Sequence, residues 1–199
     1  SLDKFINFSL YDKKFGYYIK KNPFGKEGDF ITAPNISRLF SEMIAIWIIS
    51  FWQSLGSPRK FNVIEIGAGN GEMMKVLIES FQNFPAFLKA SNFIINEKSS
   101  KLVKIQKKKL LKKKVNWISK INIHKVKKNP SIFLANEFFD AIPIKQFTKK
   151  KNIWYEKFIN LEVNKKAYFF EKKTNLAKIE RKLNFKISQN QSFIEYPAL

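Results

Sequence analysis

Three glycines at alternate positions, Gly67, Gly69 and Gly71, lie between an apolar, β-branched run, Phe61–Ile66, and a segment of helical periodicity, Glu72–Phe81. Glycines in a strand-to-helix turn let the backbone take left-handed angles and leave space for a ligand to approach. The spacing is G-x-G-x-G. The dinucleotide fingerprint is G-x-G-x-x-G and needs its third glycine where this chain has Glu72. A carboxylate there would repel a pyrophosphate at the helix N-terminus, and Glu65 at the strand end adds a second negative charge. The turn therefore calls for a ligand that lacks phosphate and carries positive charge. The alternative is a glycine-rich turn with no ligand.

Glu65-Ile-Gly67-Ala-Gly69-Asn-Gly71 resembles motif I of class I methyltransferases, an acidic residue followed by x-G-x-G-x-G, at every fixed position. That resemblance implies S-adenosylmethionine, whose cationic sulfonium tolerates acidic neighbours. Glu97 ends the next predicted strand, Asn92–Asn96, where a carboxylate can accept both hydrogen bonds of a ribose diol; by itself it would read as a solvated cap.

Asn136-Glu-Phe-Phe-Asp140 follows the predicted strand Ile132–Ala135, and ligands of open α/β sheets bind beyond the carboxyl ends of strands. Asn136 offers an amide, Glu137 and Asp140 offer acceptors, and Phe138 and Phe139 could wall a dry pocket. Methyl transfer needs near-linear approach of an acceptor lone pair, so such an enzyme positions and dehydrates more than it activates. Carboxylates suit a nitrogen acceptor, a guanidinium above all, because they grip it bidentately and can take up its proton. The competing role for Glu137 and Asp140 is capping a following helix. His124 is the only histidine, there is no cysteine, and no carboxylate-rich loop is present, so no metal is expected.

The elements that must position these residues can be read coarsely. Ser1–Asp12 has helix-like spacing, and Lys20–Pro34 carries the glycines and prolines of a loop. Ile36–Leu55 reads as a long helix with Ile36, Leu39, Phe40, Met43, Ile44 and Trp47 as its apolar pattern, and Met43–Trp52 reads as buried. From Phe61 short apolar runs alternate with helical ones, the rhythm of a parallel sheet, with Ser99–Lys114 as a lysine-rich helix and Ile121–Val126 as a further strand. Gln146–Lys172 is β-rich and reads as an antiparallel insertion, and Asn175–Leu183 reads as a helix.

A net charge of +21 would ordinarily suggest a polyanion as partner. Arg38, Arg59 and Arg181 are the only arginines, however, and a lysine excess with abundant Ile, Asn and Phe is what an AT-rich genome encodes. The longest apolar run is far short of the ~20 residues that span a bilayer, and the N-terminal residues given do not have the pattern of a secretory signal.

Together the segments resemble the MidA family of S-adenosylmethionine-dependent methyltransferases, whose mitochondrial members methylate an arginine of a respiratory complex I subunit during assembly. The resemblance rests on Leu10-Tyr-Asp12 with Gly16-Tyr-Tyr18, on Phe24–Pro34, on Ile36-Ser37 with Phe40 and Glu42, on Glu65–Gly71, and on Ala135–Pro143. It implies that Gly28, Asp29 and Thr32 approach the cofactor, alongside Glu65, Gly67, Gly69, Gly71 and Glu97, and that Asn136, Glu137 and Asp140 border the acceptor. Asn35 stands where the family usually has Glu, and Ala68 and Asn70 where Pro and Arg are common.

The expected fold is α/β, a class I methyltransferase Rossmann-like parallel sheet, C-terminally incomplete, with N-terminal helices and an antiparallel β insertion. Residues 1–199 are expected to form one methyltransferase domain, with an N-terminal segment at 1–58, a core at 59–145 and the insertion at 146–172, as part of a longer protein. The leading function is methylation of an arginine nitrogen in a protein substrate, a respiratory complex I subunit in the resemblance, without membrane insertion. A bacterial chain would act in the cytoplasm and a eukaryotic one in the mitochondrial matrix. Two alternatives keep the fold: an RNA or DNA N-methyltransferase, disfavoured by the carboxylate at Glu137, and a non-catalytic assembly module.

Overall fold

The computed structural model describes residues 1–20, 29, 32–122, 126, 128–162, 166–184, 186–188 and 190–198. They group into two compact units, one of residues 21–140 and one combining residues 1–20 with 141–199.

In the first unit, β1 (Phe61–Ile66), β2 (Ser91–Asn96), β3 (Val115–Ile118) and β4 (Ser131–Leu134) form a parallel sheet in the order β3-β2-β1-β4. β1 is central and buried almost throughout, as expected of a parallel strand covered on both faces. Helices α5 (Glu72–Phe81) and α6 (Pro85–Ala90) join β1 to β2, and α7 (Ser100–Lys109) joins β2 to β3. Phe61, Phe81, Phe87 and Phe93 pack with Trp52 into the core. An amide ladder crosses the sheet near the strands' amino ends. Asn116 donates to Asn92, Asn92 to Asn62 and Asn62 to the Ser131 hydroxyl, at 2.9, 3.2 and 2.9 Å. These bonds fix the register of four short strands that side-chain packing alone would leave free to slip.

Three expectations change. The long helix, α4 (Arg38–Ser54), buries Ser41, Ala45, Ile48, Ile49 and Trp52, whereas Leu39, Met43 and Trp47 are exposed at 62%, 61% and 54%. The helix is apolar nearly all round, so periodicity could not choose its inner face. Small Ser41 and Ala45 mark the side that approaches its neighbours closely. The lysine-rich helix stops at Lys109 rather than Lys114, with the Leu110 amide closing its last turn on the Gln106 carbonyl. The third strand is consequently Val115–Ile118, paired with Phe93–Asn96, and not Ile121–Val126; Ile121 and Asn122 are irregular, and residues 123–125, including His124, lie outside the described residues.

In the second unit, β5 (Ile144–Lys150), β6 (Ile153–Leu161), β7 (Ala167–Thr174) and β8 (Phe193–Pro197) make an antiparallel sheet in the order β7-β6-β5-β8. It is wider than the predicted insertion, because Phe193–Pro197 pairs with β5 and not with the parallel sheet. Helix α8 (Leu176–Leu183) contributes Ile179 to a core with Phe147, Trp154, Ile187 and Ile194. The N-terminal helices α1 (Leu2–Tyr11) and α2 (Tyr17–Lys20) belong to this unit, where the Tyr11 hydroxyl donates to the Ala141 carbonyl at 2.6 Å. Lys145 lies between Asp3 and Glu156; burial disfavours its charge, but the two carboxylates more than offset this and hold its pKa above the usual lysine range. No described helix is long and apolar enough to cross a membrane.

Candidate active site

The β1–α5 turn takes the conformation that its glycines permit. Gly67, Gly69 and Gly71 have φ of +67°, +53° and +80°. The Gly67 amide donates to the Asn96 carbonyl at 3.0 Å, tying the turn to the end of β2. A Cβ on Gly67 would lie 2.6 Å from Cδ2 of Phe138, so the aromatic ring after β4 rests on the first glycine. Beneath the turn Glu65 is 3% exposed. The Met74 amide donates to its carboxylate, but Oε2 has no partner among the described residues. Burial pushes its pKa up to about 8; the Met74 bond opposes the shift and the Glu97 charge adds to it.

Glu97 follows β2, and one carboxylate oxygen accepts the Ser99 amide at 2.9 Å. Burial raises its pKa too, against the amides of Ser99, Gln106 and Lys98. Gln106, which sequence reading overlooked, is fully buried and organises this corner. Its Nε2 donates to the Gly69 carbonyl at 2.9 Å and to Glu97 Oε2 at 3.3 Å, while its Oε1 accepts the Trp117 indole at 3.0 Å. The available signal was a polar residue on a buried helical stripe, midway between Leu102 and Leu110. Gln106→Leu would leave three half-buried polar groups without that partner. The expected cost is about 1–3 kcal/mol in urea denaturation, and a change below ~0.5 kcal/mol, as at an unengaged site, would contradict this assignment.

Glu72 at the start of α5 pairs with Lys75 at 3.4 Å and Lys109 at 2.5 Å. Burial raises its pKa, yet the lysines outweigh this and hold it below the usual range. Its charge is thus largely compensated by the two lysines. Thr32 precedes the short helix α3 (Ala33–Ile36) and reaches the turn through side chains: Asn35 donates to the Thr32 hydroxyl at 2.9 Å and Asn70 to Asn35 at 2.8 Å. Asp29 is exposed, and Gly28 lies outside the described residues.

Beyond β4, Asn136 is half-buried, while Glu137, Phe139 and Asp140 are exposed. Their segment ends in a single 3-10 turn, Phe139–Ala141, which leaves no regular helix there to cap. Glu137 has φ of +50°, a left-handed conformation uncommon for a residue with a side chain, shared in this chain by Ser57, Lys151, Asn152 and Asn184. Of the two phenylalanines expected to wall a pocket, Phe138 packs on Gly67 and Phe139 is 71% exposed. Among the described residues no cluster of His, Cys, Asp and Glu has the makings of a metal site.

Residues 43–198 match the model of a family described as S-adenosyl-L-methionine-dependent methyltransferase. The chain is 31% identical over 201 residues to the mitochondrial protein arginine methyltransferase NDUFAF7 of Xenopus laevis, covering 90% of this chain and 43% of that protein. It is 33% identical over 171 residues to the Homo sapiens protein of the same name, covering 74% and 38%. It thus spans about two fifths of these relatives' length. Among solved structures it resembles a COG1565 superfamily member from Burkholderia thailandensis, described as a likely methyl transfer enzyme and bound to S-adenosyl-homocysteine. The TM-score is 0.75 at 22% identity, covering 92% of this chain and 48% of that one. At that identity the likeness establishes the fold.

Proposed function

Because the chain belongs to this S-adenosyl-L-methionine-dependent methyltransferase family, we propose that residues 21–140 bind S-adenosylmethionine and direct its methyl group to an arginine nitrogen of a protein. The observation that carries the cofactor assignment is Glu65, a buried carboxyl with an unpartnered oxygen directly beneath the glycine turn. A buried carboxyl with a free oxygen in such a place suits a cationic ligand, whose charge would favour its ionised form. Glu97, steadied by Gln106 and the Ser99 amide, retains acceptor capacity for a ribose diol.

When bound, the cofactor supplies an electrophilic methyl group on a sulfonium. The protein's part is positional. Glu137 and Asp140, exposed beyond β4, would grip a guanidinium through paired N–H···O bonds and receive the proton that its nitrogen loses. Asn136 would orient the acceptor, and Phe138, resting on Gly67, joins the acceptor segment to the cofactor turn. The names of the relatives support the arginine assignment and, for a eukaryotic chain, a mitochondrial setting. A respiratory complex I subunit is the substrate we would try first; in a bacterial chain the cytoplasm is the corresponding compartment.

Isothermal titration of the protein with S-adenosylmethionine should show stoichiometric binding, and its absence would sink the proposal. Glu137→Gln should leave cofactor affinity within about twofold and slow methylation of an arginine-containing peptide roughly ten- to a hundredfold. Undiminished turnover would remove Glu137 from the reaction.

A further inference from the structure

A side-chain chain of hydrogen bonds runs across the cofactor turn. The Glu72 amide donates to Asn70 Oδ1 at 3.1 Å, Asn70 Nδ2 to Asn35 Oδ1 at 2.8 Å, and Asn35 Nδ2 to the Thr32 hydroxyl at 2.9 Å. Every member points the same way, from the first amide of α5 to the residue before α3. Each asparagine uses one donor and one acceptor, so rotating either amide by half a turn would set like groups against each other.

We propose that Asn35 and Asn70 are positioning residues: their amide pair latches the Thr32–Ile36 turn onto the glycine turn and thereby sets cofactor affinity. The inference rests on the cofactor reading above. Asn70 lies between Gly69 and Gly71, both at positive φ, and its side chain joins this glycine segment to the Thr32–Ile36 turn, while Gly67 is tied to β2 and Gly69 to Gln106. Asn35 sits in the four-residue α3, whose backbone is closed by the Asn35 and Ile36 amides on the Thr32 carbonyl at 2.8 and 3.1 Å. An element so short has little stability of its own, so its placement depends on such attachments. Pro34, buried in the same turn, stiffens it. The latch is half-buried and neutral, so it persists at salt concentrations that weaken surface ion pairs.

The test is titration of the protein with S-adenosylhomocysteine, together with the thermal midpoint of each variant. Asn35→Leu and Asn70→Leu should each weaken binding about tenfold, the size of one to two net hydrogen bonds, while shifting the midpoint by only a few degrees. The exchanged pair Asn35→Glu with Asn70→Arg replaces the amide bond by an ion pair across the same gap. It should bind within about threefold of wild type, whereas either exchange alone should remain about tenfold weaker. Wild-type affinity in the leucine variants, or a double exchange no better than its singles combined, would overturn the latch. Affinity that falls only in step with the midpoint would also overturn it, by showing a structural role. Failure of the wild-type protein itself to bind the probe would instead overturn the cofactor reading, and the latch with it.

Discussion

Glu65→Gln is expected to flatten the pH dependence of the ligand-free protein's stability and to raise that stability in alkaline solution. Burial pushes the carboxyl's pKa up to about 8 in the folded chain, from its ordinary value of 4.5. Between those two values the folded state holds a proton that the unfolded chain has released. Stability therefore falls as pH rises through that window and levels off above it, by at most about 5 kcal/mol. Glutamine keeps the acceptor for the Met74 amide and cannot titrate, so the variant should lose this slope. Urea midpoints at several pH values between 5 and 9 would show it; curves for variant and wild type that run parallel would refute the assignment. Cofactor binding should move the opposite way. A cation is attracted by the carboxylate and not by the acid, so wild-type affinity for S-adenosylmethionine should rise toward pH 8, and in Glu65→Gln it should be weaker and flat.

Gly67→Ala is the second large effect. The residue holds φ of +67°, and an added Cβ would lie 2.6 Å from the Phe138 ring. Left-handed backbone costs a non-glycine residue about 1 kcal/mol or more, and overpacking about 1–3 kcal/mol further. The expected loss is thus roughly 2–4 kcal/mol by denaturant unfolding, with at least a tenfold loss of cofactor affinity as the turn or the ring gives way. Phe138→Ala in the same chain separates the two causes. The double variant should recover the steric part and keep the backbone part. If it is no more stable than Gly67→Ala alone, the ring does not rest on the turn as described.

Both predictions arise where sequence and tertiary structure meet. The glycine turn was legible because its chemistry is local: positive φ, a preceding strand and a following helix all belong to twenty-one consecutive residues, Phe61–Phe81. Glu97 was legible for the same reason, as a strand-end carboxylate. Gln106 was not, because its three partners come from the turn, the residue after β2, and β3. Nor was the Asn35–Asn70 latch, whose members are 35 residues apart. In the sequence those two asparagines register only as departures from the family's usual Glu and Arg. In the fold they face each other, and one hydrogen bond occupies the gap.

The sequence by itself determined the alternation of strand and helix, the glycine turn between β1 and α5, and the chemical types gathered at the strand ends, because each follows from residue propensity and short-range periodicity. Tertiary structure alone decided four things. It chose which face of the apolar α4 is buried, it ended α7 at Lys109 so that Val115–Ile118 could pair with β2, it assigned Phe193–Pro197 to the antiparallel sheet, and it laid Phe138 on Gly67. Each is a choice among partners that local energetics leave nearly equal. A helix hydrophobic all round, a strand with two possible neighbours and a ring free to rotate are resolved only by the packing of residues distant in the chain.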